Sequence, residues 1–393
     1  MTRRNGTVAG LLLLAAGLLG GCSSKPVIGV LLPTTGVNSD YGESIESGAR
    51  LAVTRAREEG AYPNNLEIVW ADTASDPEKA VADLRQMVKE RNVSIVIGGA
   101  TSAEARALIP VLDELNVICV SPSASAPGLS KESPLFYRIY PSDEFEANTA
   151  AQFLVNKLGV SSVLIFIHDS DYSLGIEPRF VEQFTSDNLK GKVIGKIEVD
   201  QPGWQERAKS VLTAEKPPAV YIVGYAEETL EVLRLLRGLS YPGRIVATSA
   251  FDSTRVLQQA GSLADGVMFP LPPFDRTSDV EPVRTFVKRY LETYQRPPDI
   301  LAAHGYDAMR TVIRVVKVAK PPVTSELTKA LHFGLQDVMG VTGAIQFDDY
   351  GDVKHNPIMF ICDGGQVLTY ERYLKMKKDE IFRKMQDLLL PKS

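Results

Sequence analysis

From Pro26 onward, short aliphatic and β-branched runs alternate with stretches of helical period. The runs VIGVLL (27–32), LEIVWA (66–71), VSIVIG (93–98) and NVICVS (116–121) are apolar at successive positions rather than every second one. Such runs suit strands buried on both faces. The stretches between them, about 42–58, 76–90 and 102–114, predict helices. Strands alternating with helices predict βαβ units and a parallel sheet.

The pattern then starts again. VLIFI (163–167), VIGKIEV (193–199), AVYIVG (219–224), RIVATS (244–249) and GVMF (266–269) predict a second set of strands, with helices at about 173–186, 205–214 and 226–238. The chain therefore contains two α/β modules. FYRIYPSDE (136–144) joins them and, lacking linker composition, reads as a strand-like crossing. Beyond PLPPFDR (270–276) come long helical patterns at 279–294 and 299–318, broken by Pro297-Pro298, and a shorter one at 324–333. GAIQFDDYGD (343–352) reads as strand, turn, strand, continuing into NPIMFICDGGQV. The tail from 371 is amphipathic and mixed in charge.

Composition narrows the function. With 23% charged and 44% hydrophobic residues among 393, the chain is globular rather than disordered. A net charge of −5 gives no basic footprint for nucleic acid. Three cysteines, Cys22, Cys119 and Cys362, with no C-x-x-C, support neither a disulfide framework nor a zinc cluster. Cys119 and Cys362 sit inside apolar runs and read as small buried hydrophobes.

The N-terminus carries a sharper signal. Arg3 and Arg4 precede the apolar run Val8 to Leu19, which is too short to span a bilayer and fits a signal peptide. Leu19-Gly20-Gly21-Cys22 resembles a bacterial lipobox. Lipidation at Cys22 would hold the mature protein on a membrane surface, each buried CH₂ contributing about 0.8 kcal/mol. Loss of residues 1–21 takes away two arginines and no acid, moving the charge to −7. Ser23, rather than an aspartate, follows the cysteine; resemblance to lipoproteins implies that this does not favour inner-membrane retention.

Signatures of catalysis are missing: there is no G-x-S-x-G, P-loop, H-E-x-x-H or dinucleotide glycine fingerprint. FDDYGD lacks the spacing and distal Glu of a calcium loop and reads as a solvated turn. No metal or cofactor is expected. What remains are polar loops at the C-terminal ends of parallel strands, where open α/β sheets bind ligands. Gly98 to Glu104 is one; Thr101 and Glu104 have capping-box spacing, and the free N–H groups of the following helix suit a carboxylate. Ser121 to Pro127 is another, with Ser123, Ala124 and Ser125 as candidate contacts. Tyr41 follows the first strand; Tyr172 and Tyr225 occupy matching loops of the second module. Taken singly, Thr101 and Ser102 read as caps and the tyrosines as packing residues. Five such loops at strand ends together point to a site.

These segments resemble the periplasmic leucine/isoleucine/valine-binding protein family, the type I solute-binding proteins of ATP-binding cassette transporters. IGVLLPTTGVNSDYG, GARLAV, DTASDPEKAV, IGGATSAEA, VSPSASAP and VGYAEETLEVLRLLR carry the likeness, with GDV in the last crossing. The resemblance implies two doubly wound parallel-sheet lobes joined by three hinge crossings. Lobe 1 would comprise 22–141 and 272–345, lobe 2 would comprise 142–271 and 346–370, and 371–393 would be a tail. By position, Ser102, Ser123 and Ser125 would hold the ligand carboxylate and part of an ammonium group. Tyr41 would wall the pocket, and Tyr172 and Tyr225 would close on it. Relatives that bind amino acids often place an acid after the strand here written RIVATSA. This chain has Ala250 there, and Asp252 is the nearest substitute.

The function implied is capture of a small carboxylate-bearing ligand, an amino acid of branched-chain type, by lobe closure. A monomeric, membrane-anchored lipoprotein facing the periplasm would deliver it to an ATP-binding cassette permease. An amine-free acid fits Ala250 as well. The rival is a non-transport envelope lipoprotein of the same fold, a sensor or protein-binding scaffold. An enzyme is not expected, since the loops offer no nucleophile with its base.

Overall fold

A computed structural model describes residues 25–389. Cys22 and the apolar leader lie outside the described residues. The first sheet takes β1 (Val27–Leu32), β2 (Glu67–Asp72), β3 (Ile95–Ile97), β4 (Ile118–Ser121) and β5 (Phe136–Arg138), in the order β2-β1-β3-β4-β5, all parallel. Its helices are α1 (Ser39–Glu58), α2 (Pro77–Arg91) and α3 (Ser102–Leu115). The central strands β3 and β4 are buried along their whole length. β2 at the edge is half-buried throughout.

The chain then crosses to a second body, entering through α4 (Asp143–Gln152). β6 (Ser162–Ile167), α5 (Asp171–Phe184), β7 (Lys192–Glu198), α6 (Trp204–Glu215), β8 (Ala219–Val223), α7 (Ala226–Gly238), β9 (Arg244–Ala247), α8 (Thr254–Ala260) and β10 (Val267–Leu271) follow. It returns to the first body for α9 (Val283–Tyr294), α10 (Ile300–Val318), α11 (Thr324–Phe333) and the two-residue strands β11 (Met339–Gly340) and β12 (Gly343–Ala344). A third passage leads to β13 (Ile358–Asp363), β14 (Gln366–Thr369) and α12 (Tyr370–Leu389). The second sheet runs β14-β13-β10-β9-β8-β6-β7. Unlike the all-parallel expectation, β13 and β14 are antiparallel. Gly364 and Gly365, both at positive φ, form the tight turn that reverses the chain between them.

The helix α10 fixes the first lobe's cleft edge. It crosses α1 with backbone nearly on backbone: a Cβ on Gly48 would overlap the Ala302 carbonyl, and one on Gly305 would overlap that of Ile45. Glycine at both positions lets the two helices approach. The N-terminal ends of α1 and α10 therefore sit side by side at the sheet's ligand end.

The third passage leaves the first sheet later than 345. Arg138 pairs with Asp352, and the Arg138 N–H donates to the Gly351 carbonyl at 3.0 Å. Arg138 is wholly buried; its Nε and Nη2 donate to the two Asp352 oxygens at 2.5 and 3.0 Å, and Nη1 donates to the Ala126 carbonyl at 2.8 Å. This ion pair ties the third passage to the end of β5, next to the first passage. The FDDYGD segment is a turn, closed by Asp348 Oδ1 accepting the N–H groups of Tyr350 and Asp352.

Candidate functional site

The loops at the strand C-termini of both sheets meet in one narrow cleft. Tyr41, Thr101, Ser102, Ser123 and Ser125 line it from the first lobe; Tyr172, Tyr225 and Asp252 line it from the second. Eight of the nine residues anticipated from sequence thus share one site. Ala124 does not. Its side chain is fully buried in the first lobe's core, and its N–H donates to Ser121 Oγ at 3.0 Å. β4 has already ended at Ser121, and the turn closed by this hydrogen bond puts the Ala124 side chain in the core.

The first lobe presents hydroxyls and a helix N-terminus. Thr101 Oγ1 accepts the Glu104 N–H at 3.2 Å and caps α3. Glu104 turns its carboxylate to the Thr73 hydroxyl, 2.5 Å away. Ser102 Oγ accepts the Ala126 N–H at 3.3 Å, which leaves the serine's own hydrogen to donate. Ser123 donates to the Ala100 carbonyl at 2.5 Å, which leaves its oxygen as an acceptor. The first-turn N–H groups of α3 have no intrahelical partner and suit an anion.

The second lobe presents aromatic rings. Tyr172 and Tyr225 are stacked at 5.2 Å between ring centroids. Tyr41 and Tyr172 are nearly fully buried, and burial holds both hydroxyls well above the usual tyrosine range. They act as neutral hydrogen-bonding groups.

Asp252 is present in the wall but already engaged. Its Oδ1 accepts from Arg276 Nη2 at 2.8 Å and its Oδ2 accepts the Ile300 N–H at 3.2 Å. Burial raises its carboxyl above the usual range, and Arg276 pulls it back. Its charge serves the N-terminus of α10 rather than standing ready for a ligand cation. Ala250 faces the cleft and brings no charge.

Several lining residues escaped the sequence reading: Tyr140, Ser249, Ile300 and Leu301. Tyr140 sits in the first crossing, and Ile300-Leu301 open the helix after Pro297-Pro298. Ile300 and Leu301 lie far in sequence from the strand-end loops, whereas Tyr140 follows β5 by two residues. Behind the wall lies an acid pair equally hidden from sequence. Glu146 Oε1 accepts the Ser249 N–H at 2.8 Å, its Oε2 accepts the Ser249 hydroxyl at 2.6 Å, and Tyr172 Oη lies 3.5 Å from Oε1. Asp143, one turn earlier, is fully buried beside Ser125 and Arg138. Carboxylates in the first turn of a helix are ordinarily solvated, so nothing local marked these two.

The lobes touch across the cleft. Tyr41 and Tyr225 are in ring contact. Ser253 Oγ donates to Asp40 Oδ2 at 3.2 Å, and Thr254 Oγ1 donates to Asp299 Oδ2 at 3.0 Å. Arg255 lies 3.7 Å from Asp40. Gly175 of α5 packs on Pro127 of the first lobe. Among the described residues no cluster could hold a metal ion, and no helix is long and apolar enough to cross a membrane.

Two sheets joined by three passages, with a polar cleft at their strand ends, define a bilobed binding protein. The sequence profile of the periplasmic binding protein family matches residues 26–362, and the chain belongs to that family. It is 22% identical over 326 residues to the leucine-, isoleucine-, valine-, threonine- and alanine-binding protein of Pseudomonas aeruginosa, covering 82% of this chain and 86% of that one. Among solved structures it is similar to a branched-chain amino acid transporter substrate-binding protein from Streptococcus pneumoniae in complex with isoleucine. That match has 26% identity, a TM-score of 0.78, and covers 87% of this chain and 97% of that one. The fold is also that of a solute-binding protein from R. palustris in complex with benzoate, at TM-score 0.75 and 20% identity, covering 88% of this chain and 95% of that one. The fold is thus the type I periplasmic binding protein fold.

Proposed function

We propose that this protein is an extracytoplasmic lipoprotein that captures a small carboxylate-bearing solute, an amino acid of branched-chain type, and delivers it to an ATP-binding cassette importer. One observation carries the reading. Strand-end loops from two separate sheets bring hydroxyls and a helix N-terminus on one side, and stacked tyrosines on the other, around one shared cleft. The α3 N-terminus and Ser102 suit the carboxylate. Tyr172, Tyr225, Ile300 and Leu301 suit an apolar side chain. Relatives named for branched-chain amino acids support that class of solute.

Closure follows from the arrangement. Only the closed form touches a solute from both sides, so binding shifts the lobes toward it. The closed outer surface is then what a permease recognises. A lipid on Cys22 would keep the protein beside that permease as a monomer, with no cofactor needed.

The test is a melting-temperature panel on residues 23–393 refolded free of carried-over solute, across L-amino acids and amine-free carboxylates. A solute at 100 times its Kd should stabilise by about 2.7 kcal/mol. Folded protein that shifts with no compound would contradict solute capture and favour the protein-binding lipoprotein.

A further inference from the structure

Ser249 and Tyr172 both line the cleft, and both turn their donors away from it. Glu146 accepts the N–H and hydroxyl of Ser249 at 2.8 and 2.6 Å, with Tyr172 Oη 3.5 Å from the same carboxylate. A serine hydroxyl that donates backward presents only lone pairs forward. With Glu146 ionised, the wall beside Ala250 is therefore an acceptor surface backed by a buried carboxylate. Among the described lining residues Asp252 is the one acid, and its oxygens are taken by Arg276 and the Ile300 N–H.

We propose that Glu146 is the positioning residue that sets the ligand class: acting through Ser249 and Tyr172, it makes this wall an acceptor for a ligand ammonium group, so the cleft takes an α-amino acid in preference to an amine-free acid. The inference rests on the solute-capture reading above.

Protonation of Glu146 inverts the wall. A neutral Glu146 donates from Oε2 to Ser249 Oγ, and the serine hydrogen turns into the cleft, where it opposes an ammonium. Burial, and then repulsion from Asp143, pushes Glu146 up to about 8. Burial pushes Asp143 up to about 7, so the two share protons near neutrality. Docking an ammonium favours the ionised carboxylate, and the displaced proton leaves to the buffer.

Among the described residues, the groups around Glu146 leave it no other charge partner. Asp143 shares its helix, and the hydroxyls of Tyr41, Tyr140, Tyr172 and Tyr221 face it. On α5, Glu177 lies 3.0 Å from Lys196 of β7, and Arg179 pairs with Glu144 and Glu182. β10 brings only apolar side chains, and on β13 Cys362 is buried while Asp363 pairs with Lys377 at 3.0 Å. Arg138 faces Asp143 and is held by Asp352.

The experiment is calorimetric titration of L-leucine and of 4-methylpentanoate, its amine-free counterpart, at pH 7 in phosphate and in Tris. Wild-type protein should bind leucine with proton release, seen as a buffer-dependent enthalpy, and 4-methylpentanoate without it. Glu146→Gln, whose amide donates permanently to Ser249 Oγ, should lose proton release and bind leucine about ten-fold more weakly. Its affinity for 4-methylpentanoate should stay within about two-fold. Ser249→Ala keeps the buried acid but removes the hydroxyl through which it acts, and should show the same loss of preference, which decides the matter if Glu146→Gln folds poorly. Equal leucine binding and equal proton release in wild type and Glu146→Gln would overturn the role of Glu146 while leaving solute capture standing. So would wild-type protein that binds only the amine-free acid. Binding of neither compound would overturn the capture of a branched-chain solute and this inference with it.

Discussion

Tyr41 and Tyr225 meet edge to face across the cleft, with ring centroids 5.8 Å apart and planes at 88°. One ring belongs to the first lobe and the other to the second, so the contact exists only when the lobes are closed. Tyr225 also stacks on Tyr172, giving a continuous aromatic wall. Tyr225→Ala should weaken binding of the stabilising solute by about 2 kcal/mol, or about thirty-fold in Kd. The ligand-free melting temperature should change much less. A Kd unchanged by calorimetry would remove Tyr225 from the closing surface.

Gly175 tests closure without touching the solute. It lies in α5, and a Cβ there would come within 2.9 Å of Pro127 Cδ on the opposite lobe. Alanine is otherwise the better helix residue by about 1 kcal/mol. Gly175→Ala should therefore hold or raise the melting temperature of ligand-free protein. It should still weaken solute binding, by about three- to ten-fold. An unaltered Kd in the substituted protein would mean that this contact does not form on closure.

Much of the fold was legible because parallel strands buried on both faces read as unbroken apolar runs. VIGVLL became β1 over Val27–Leu32, and the stretch at 324–333 became α11 over the same residues. α4 was missed for a physical reason. It carries buried alanines, Ala147, Ala150 and Ala151, on one side and buried Glu146 among them, so no clean apolar stripe marks it. The site was legible where hydroxyls and tyrosines sit in strand-end loops. It was illegible where tertiary folding recruits distant groups. Nothing in the sequence says that Ser249 will be gripped by Glu146, or that Asp252 will be spent on Arg276 and the start of α10.

Arg138 and Asp352 tie the first and third passages together. Asp352→Ala strips a wholly buried guanidinium of its partner and should destabilise the protein by about 3–5 kcal/mol in denaturant unfolding. Despite burial, which pushes the other way, the hydrogen bonds and charge of Arg138 hold the Asp352 carboxyl below its usual range. Its stabilising contribution is therefore present above the ordinary carboxylate value of 3.8 and is lost as pH falls through the lower folded value. The acid limb of the wild-type stability curve should be missing its Asp352 component in the substituted protein.

Glu146 and Asp143 act with the opposite sign. Both have folded values above their ordinary ones, 4.5 and 3.8, so the folded state binds more protons than the unfolded chain. The contribution of this pair to ligand-free stability should fall as pH rises from about 4 toward 8. Glu146→Gln should flatten that decline in melting temperature. Parallel curves for wild type and Glu146→Gln across this window would show that Glu146 is not buried as described.

The proposed lipid anchor has its own test. Full-length protein expressed in a bacterium with lipoprotein processing should partition with membranes, whereas Cys22→Ala should appear in the soluble extracytoplasmic fraction. Membrane association that survives Cys22→Ala would place the anchor elsewhere.

The central claim is that the cleft between the lobes captures one branched-chain amino acid per chain. Equilibrium dialysis of radiolabelled L-leucine against residues 23–393, beside Tyr225→Ala, measures this most directly. The account predicts saturable binding at one leucine per chain, weakened about thirty-fold by the substitution. Absence of saturable binding to folded wild-type protein, or binding indifferent to Tyr225, would contradict it.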